Sequence, residues 1–284
     1  MIVDCHAHLL PPERMAKLIR WTRRFSPVHP IPETVTVETL VAEYAREGVG
    51  QVWNFAHAIF PQETDPLNDW NAALAARHPQ ILAFGTCHPR APEPLAVVDR
   101  CLAGHGFVGM KFHPFVQRFT PWEAGLFPIY ERIARYGRIV VFHTGFEEFY
   151  GGALPIAGFE AILAAFPELP VVFAHANYPR IGEAFELVAR HPNLYLDTVH
   201  AFAPVAQTWD RRDGASTWAE LRRGIEAFPD RVMFGTDHPS GTGTLAEMYR
   251  DLHAFGLAPG VEARLLGDTA RGLVERTRAR GSAR

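Results

Sequence analysis

The sequence predicts a single α/β domain folded as a (β/α)₈ barrel, and three observations predict it. Short apolar, β-rich runs alternate with helical stretches; eight such runs can be counted; and the runs end in polar residues. Strict alternation implies parallel strands joined by crossover helices. Continuous apolar runs such as Ile139-Val140-Val141-Phe142 suit a sheet covered by those helices. Eight units closing on themselves favour a barrel over an open sheet. The 284 residues, 48% hydrophobic and 21% charged, fit one catalytic domain spanning 1–284.

A recurrent phrase marks the joints, in which a helix ends, a proline follows and an apolar run begins. Arg77-His78-Pro79 precedes Ile81 to Phe84, Phe166-Pro167 precedes Val171 to Ala174, Arg190-His191-Pro192 precedes Leu194 to Leu196, and Phe228-Pro229 precedes Val232 to Phe234. Proline stops each helix because it lacks an N–H and clashes with the preceding turn. The predicted strands are 2–8, 50–57, 81–88, 107–113, 138–144, 170–176, 194–200 and 231–237. Helices are predicted near 35–48, 65–78, 92–103, 122–136, 157–166, 181–190, 218–228 and 244–255, with a last one at about 261–278. Residues 9–34 interrupt the first unit, and Pro11, Pro12, Pro27, Pro30 and Pro32 predict an irregular loop over the barrel mouth. The polar tail, about 279–284, is expected to fray.

Composition narrows the partners. A formal net charge of -3 and a pI near 6.5 give no basic surface for nucleic acid. Cys5, Cys87 and Cys101, odd in number and unpaired in spacing, suggest a reducing compartment. No basic region leads into an apolar stretch at the N-terminus, and no run reaches membrane-spanning length. A cytoplasmic protein with a small-molecule substrate and no membrane partner is therefore expected.

In such a barrel the C-terminal ends of the strands converge on one face, where active sites lie. The first strand ends Asp4-Cys5-His6-Ala7-His8, and period-two alternation puts His6 and His8 on one face, suited to a shared cation. Lys111, His143 and His175 follow one another at intervals of 32 residues, and Asp237 lies 62 beyond His175. These are one, one and two β/α units, so the spacing predicts equivalent heights around the ring.

Asp-Cys-His-Ala-His, Gly-Met-Lys-Phe-His-Pro at 109–114, Phe-His-Thr-Gly at 142–145, Phe-Ala-His-Ala at 173–176 and Phe-Gly-Thr-Asp-His-Pro at 234–239 resemble the amidohydrolase superfamily, and more closely its amidohydrolase-2 branch. That branch contains metal-dependent hydrolases together with the decarboxylases of aminocarboxymuconate semialdehyde and γ-resorcylate. The resemblance implies that His6, His8, His143 and Asp237 bind the metal, with His175 as acid/base beside it. Imidazoles and a carboxylate suit Zn²⁺ or a similar cation, and an open position lowers the pKa of bound water to about 7. Asp237 would then take a proton from that water, and His175 would polarise the substrate or protonate the leaving group.

Lys111 decides between one metal and two. In binuclear relatives a carboxylated lysine bridges two cations at this strand; one metal is usual in the branch resembled here. The favoured reading is an amine hydrogen-bonded to a carboxylate near the mouth. His57, His88, His113, His200 and His238 also sit at or beyond strand ends, and each alone reads as structural, although His113 shares a face with Lys111. Asp4 reads as a residue that orients a ligand, and Glu147 and Glu148 as solvated loop carboxylates. In the insertion, Trp21, Arg20, Arg23 and Arg24 could meet a substrate carboxylate.

The leading function is hydrolysis of an amide, lactone or ester by metal-activated water. The alternatives are non-oxidative decarboxylation of a carboxylated ring or unsaturated acid, and a barrel that holds metal without turnover. The polymerase and histidinol phosphatase type and the TatD-type nucleases also begin with HxH, but their further residues are not matched. Members of the resembled branch are often dimers, so a homodimer is the expected assembly if one forms.

Overall fold

The computed structural model describes residues 1–204 and 214–282. The chain runs β1 (Ile2–Ala7), α1 (Pro12–Thr22), α2 (Val37–Arg46), β2 (Val49–Asn54), α3 (Thr64–Arg77), β3 (Ile81–Thr86), α4 (Pro94–Asp99), β4 (Gly109–Phe112), α5 (Pro114–Gln117), α6 (Phe127–Arg135) and β5 (Ile139–His143). It continues through α7 (Glu147–Tyr150), α8 (Glu160–Ala165), β6 (Val171–Ala174), α9 (Ile181–Arg190), β7 (Leu194–Asp197), α10 (Gly214–Ala227), β8 (Val232–Met233), α11 (Leu245–Ala254), α12 (Pro259–Ala263) and α13 (Thr269–Ser282).

All eight expected strands form, and they pair in chain order, each parallel to the next. Closure occurs between β1 and the segment after β8. The Cys5 N–H donates to Phe234 O (3.0 Å), the Asp237 N–H to His6 O (2.8 Å) and the His8 N–H to His238 O (2.8 Å). The residues that close the barrel are thus those expected to hold a metal, so ladder geometry fixes their separation.

Two apolar layers follow from the alternation of side chains across the sheet. Val3, Phe55, Phe84, Ile139, Val141 and Val172 belong to one buried cluster filling the barrel. The opposite faces pack against helices, as where Ile181, Ala184, Leu187 and Val188 of α9 are buried. Thr36 caps α2, accepting the N–H of Thr39, and Thr244 caps α11 in a reciprocal arrangement with Glu247.

Three expectations change. Residues 9–34 are not wholly irregular, because Pro12–Thr22 is an eleven-residue helix with Met15, Ile19 and Thr22 buried. Pro12 falls in its first turn, where a missing N–H costs nothing, so a residue read as a breaker starts the helix. The last helix runs on to Ser282, through residues expected to fray; 283 and 284 lie outside the described residues. The equal-height reading of the 32-residue intervals is inexact. Lys111 pairs with Val141, two residues before His143, and His143 pairs with Ala174, one before His175, since barrel strands are staggered. Among the described residues no helix is long and apolar enough to cross a membrane.

Candidate active site

The ends of β1 and β8 bring His6, His8 and Asp237 together, with one ligand atom from each lying within 4.8 Å of the others. Asp237 Oδ1 is 2.9 Å from His8 Nε2 and 3.5 Å from His6 Nε2. Asp237 occupies a left-handed turn (φ 61°) past β8, fixed by its N–H on His6 O and by the Ser240 N–H on its own carbonyl (2.7 Å). All three residues are buried.

The protons on this trio can be assigned. Nδ1 of His8 lies 2.9 Å from the carbonyl of Phe55, which can only accept, so His8 carries a proton on Nδ1. Nδ1 of His6 lies 2.8 Å from Asp197 Oδ2, and the same logic applies. Burial, with Lys111 adding to it, drives the pKa of His6 well below the usual histidine range, so its ring is neutral and Nε2 bears a lone pair. Burial would raise the carboxyl of Asp237, but His8, His200 and His6 outweigh it and hold the group well below the usual carboxylate range. Among the described residues Asp237 Oδ1 has no hydrogen-bond partner, despite its short approach to His8. Lone pairs on imidazole nitrogens therefore converge with an anionic oxygen, and a divalent cation fits that donor set.

His143 and His175 form a second pair beside the trio. His143 is not within the 4.8 Å set; its Nδ1 lies 3.1 Å from His175 Nε2, and its buried Nε2 has no partner among the described residues. His175, Ala176 and Asn177 all have positive φ (63°, 46° and 58°), a run costly for non-glycine residues and typical of functional turns. It is held by the His175 N–H on Asp197 Oδ1 (2.7 Å) and the Tyr178 N–H on His175 O (2.8 Å). Gly145, in the Phe-His-Thr-Gly segment, has φ 69°, and a Cβ there would sit 2.5 Å from Tyr178 O, so the close approach of the two loops requires glycine.

Lys111 departs from the favoured expectation. It is only 1% exposed, yet Nζ hydrogen-bonds no carboxylate among the described residues and lies 4.8 Å from the centroid of the Phe55 ring. Burial lowers its pKa to about 8, against the pull of Asp197 and Asp237. Asp4 orients no histidine ring; it accepts the N–H groups of His6 and Thr236 and the Thr236 hydroxyl, bracing the seam between β1 and β8. The residue that orients His6 is Asp197, absent from the predicted set. Its signal was the polar end of Leu194-Tyr195-Leu196-Asp197, the same signal that marked the other strands. His200, read as structural, lies with Nε2 3.2 Å from Asp237 Oδ2.

A cavity of about 270 Å³ opens above these groups, lined by His8, Lys111, His143, His175 and Asp237 among others. From α1, Arg14, Lys17, Leu18 and Trp21 line it, the i, i+3, i+4, i+7 face of a helix. Trp21 was expected there. Arg20 and Arg24 were too, but Arg20 is exposed and pairs with Glu33 at 2.8 Å, and Arg24 is exposed away from the lining. Glu147 is paired with Arg180 (2.7 Å). Trp21 stacks on Tyr150 and Tyr150 on Phe115 (centroids 5.8 and 4.9 Å), so α1 and the loop after β5 meet over the mouth.

A family model described as amidohydrolase matches residues 3–276. The chain belongs to the amidohydrolase family, in its amidohydrolase-2 branch. No curated protein sequence matches this amidohydrolase significantly. Among solved structures, an uncharacterized TIM-barrel protein from Bordetella bronchiseptica is similar at 23% identity and TM-score 0.73, covering 97% of this chain and 99% of its own. The 5-carboxyvanillate decarboxylase LigW from Sphingomonas paucimobilis is similar at 15% identity and TM-score 0.70, covering 96% and 98%. A dihydroxybenzoic acid decarboxylase from Polaromonas sp. JS666, with bound manganese and the inhibitor 2-nitroresorcinol, is similar at 15% identity and TM-score 0.72, covering 99% and 98%.

Proposed function

We propose that this amidohydrolase is a metal-dependent hydrolase acting on an amide, lactone or ester of a small molecule. One observation carries the reading: the Nε2 atoms of His6 and His8 and Oδ1 of Asp237 converge within 4.8 Å, with both histidines held by acceptors at Nδ1. His143, whose Nε2 has no other partner, would complete the set. A divalent cation bound there supplies a Lewis acid that brings the pKa of water to about 7. Zinc suits the ligand types, and the manganese in the Polaromonas structure suits them as well, so the metal is named by analysis of the loaded protein.

The residues then divide the proton work. Asp237 is the base, and His200 at 3.2 Å from its Oδ2 accommodates the charge that changes there. With its Nε2 lone pair engaged, neutral His143 carries its proton on Nδ1 and donates to His175 Nε2. Neutral His175 therefore keeps its own proton on Nδ1, which has no partner among the described residues, and can polarise the substrate as a hydrogen-bond donor while the proton taken up by Asp237 passes to the leaving group. Asp197 holds His175 in place through the backbone N–H.

Decarboxylation of a carboxylated ring or unsaturated acid is a second reading, favoured by the names of the similar structures. It would use the same residues, with a proton taken up from solvent by Asp237 and delivered to the carbon that carbon dioxide leaves. A turnover screen of metal-loaded protein against lactones, amides, esters and carboxylated aromatics, following both acid release and carbon dioxide, separates the two. Acid release without carbon dioxide supports hydrolysis, and carbon dioxide without net hydrolysis overturns it. Inactivity on the whole panel would favour a barrel that holds metal without turnover.

A further inference from the structure

One wall of the cavity is cationic and lacks a matching anion. Lys111 lines it, buried, with an ammonium that no hydrogen bond satisfies and no carboxylate approaches within ion-pair distance among the described residues. His57 and His113 line the same wall, their rings 5.0 Å apart, and Nδ1 of each is buried without a partner among the described residues. The Tyr150 hydroxyl, 3.3 Å from His113 Nε2, can donate there and so leave the His113 proton on Nδ1. Lys17 lines the rim with no ion pair among the described residues.

The nearby acids are already engaged. Asp237 faces His8 and His200, and Asp197 holds His6 and the N–H of His175. Arg14 is neutralised by Glu63 at 2.9 Å, and its second contact, 2.8 Å to the carbonyl of His57, fixes the backbone that carries the His57 ring. A buried charge without a counter-ion is costly, and unsatisfied ring nitrogens add to that cost. An anionic group lying against this wall removes both. Leu10, Leu18, Ile59 and Val116 make the rest of this lining apolar.

We propose that Lys111, His57 and His113 form a subsite for a substrate carboxylate, beside the His6, His8 and Asp237 trio, with Lys17 attracting it at the rim. The substrate is then an apolar-bodied acid whose scissile bond lies at the trio and whose carboxylate lies beside it, since the His57 ring is 5.6 Å from that of His8 and the His113 ring stacks 3.8 Å from that of His143. This rests on the reading of the cavity as the substrate site.

The test uses the full-length protein, both chelated and metal-loaded, with benzoate as probe, neutral benzamide as its near-isostere and inorganic phosphate as competitor, read by calorimetry. Benzoate is expected to bind the chelated protein at least tenfold more tightly than benzamide does. Lys111→Met, which keeps most of the side-chain volume, is expected to abolish that preference while benzamide binding is unchanged. Lys17→Met folds independently of the buried wall and is expected to lower benzoate affinity a few-fold, an effect that fades as salt is raised. Equal binding of benzoate and benzamide, or an undiminished preference in a folded Lys111→Met protein, overturns the subsite. Phosphate displacing benzoate at equal concentration overturns the carboxylate assignment. Manganese titration of the same preparations reads the trio separately, so failure of the subsite and failure of the metal reading are distinct results.

Discussion

Asp197 Oδ2 lies 2.8 Å from Nδ1 of His6, and its other oxygen accepts the backbone N–H of His175 at 2.7 Å. One carboxylate at the end of β7 thus sets the tautomer of a proposed metal ligand and anchors the turn carrying the proposed hydrogen-bond donor. Asp197→Asn keeps one acceptor oxygen but presents an amide that competes for the other contact. Metal affinity is expected to fall about 10–100-fold, with turnover falling further than metal occupancy explains because the His175 turn loosens. Metal titration beside kcat at saturating metal checks this, and unchanged affinity would remove Asp197 from the metal centre.

Metal binding should be visible as stability. A cation at one hundred times its Kd adds about 2.7 kcal/mol, and for a chain of this length that raises Tm by roughly 4–5 °C. His8→Ala is expected to lose the shift entirely. Lys111→Ala is expected to keep one equivalent of metal per chain, because its amine lies over Phe55 rather than among the ligands. Two equivalents, one lost in Lys111→Ala, would instead make the lysine a bridge.

The barrel was legible because strand and helix alternate eight times, and a proline after four of the helices punctuates that alternation in local sequence. The convergence of His6, His8 and Asp237 was legible because each lies at or just past the end of a strand. Less legible were features that depend on the other side of the ring. Asp197 ends its strand in a polar residue as the others do, but its role is set by His6, 191 residues away. The β1 register shifts between Asp4 and Ala7, so simple alternation does not carry through to the histidines. The arginines of the insertion misled for a related reason: once Pro12 starts a helix, its cavity face is Arg14, Lys17, Leu18 and Trp21, and Arg20 turns to Glu33.

That helix face predicts a division among its residues. Trp21 lines the cavity and stacks on Tyr150 with ring planes 20° apart, whereas Arg20 and Arg24 are exposed. Such a stack is worth about 0.5–1.5 kcal/mol beyond area burial, so Trp21→Ala is expected to raise KM roughly 2–10-fold. Arg20→Ala and Arg24→Ala are expected to leave KM unchanged. Steady-state kinetics on the three variants decide it, and a KM effect at either arginine larger than at Trp21 would restore the arginines to the substrate.

The last prediction concerns the turn that follows Asp237. His238 is fully buried, with Nε2 2.9 Å from Glu43 Oε2 of α2, so a helix on the barrel's flank holds the residue next to a proposed ligand. The hydrogen bond from His238 lowers the Glu43 carboxyl below its ordinary value of 4.5, against a smaller opposing effect of burial. A depressed carboxylate contributes stability that is present above its unfolded pKa and lost as pH falls through the folded one. Wild type is therefore expected to exceed Glu43→Gln in stability at about pH 7, with the gap narrowing below the ordinary glutamate value. Asp4, raised to about 6 by burial, titrates in both proteins and drops out of the difference. Urea unfolding of the pair across that range is the measurement, and a gap that stays constant into acid would mean that Glu43 contributes packing rather than charge.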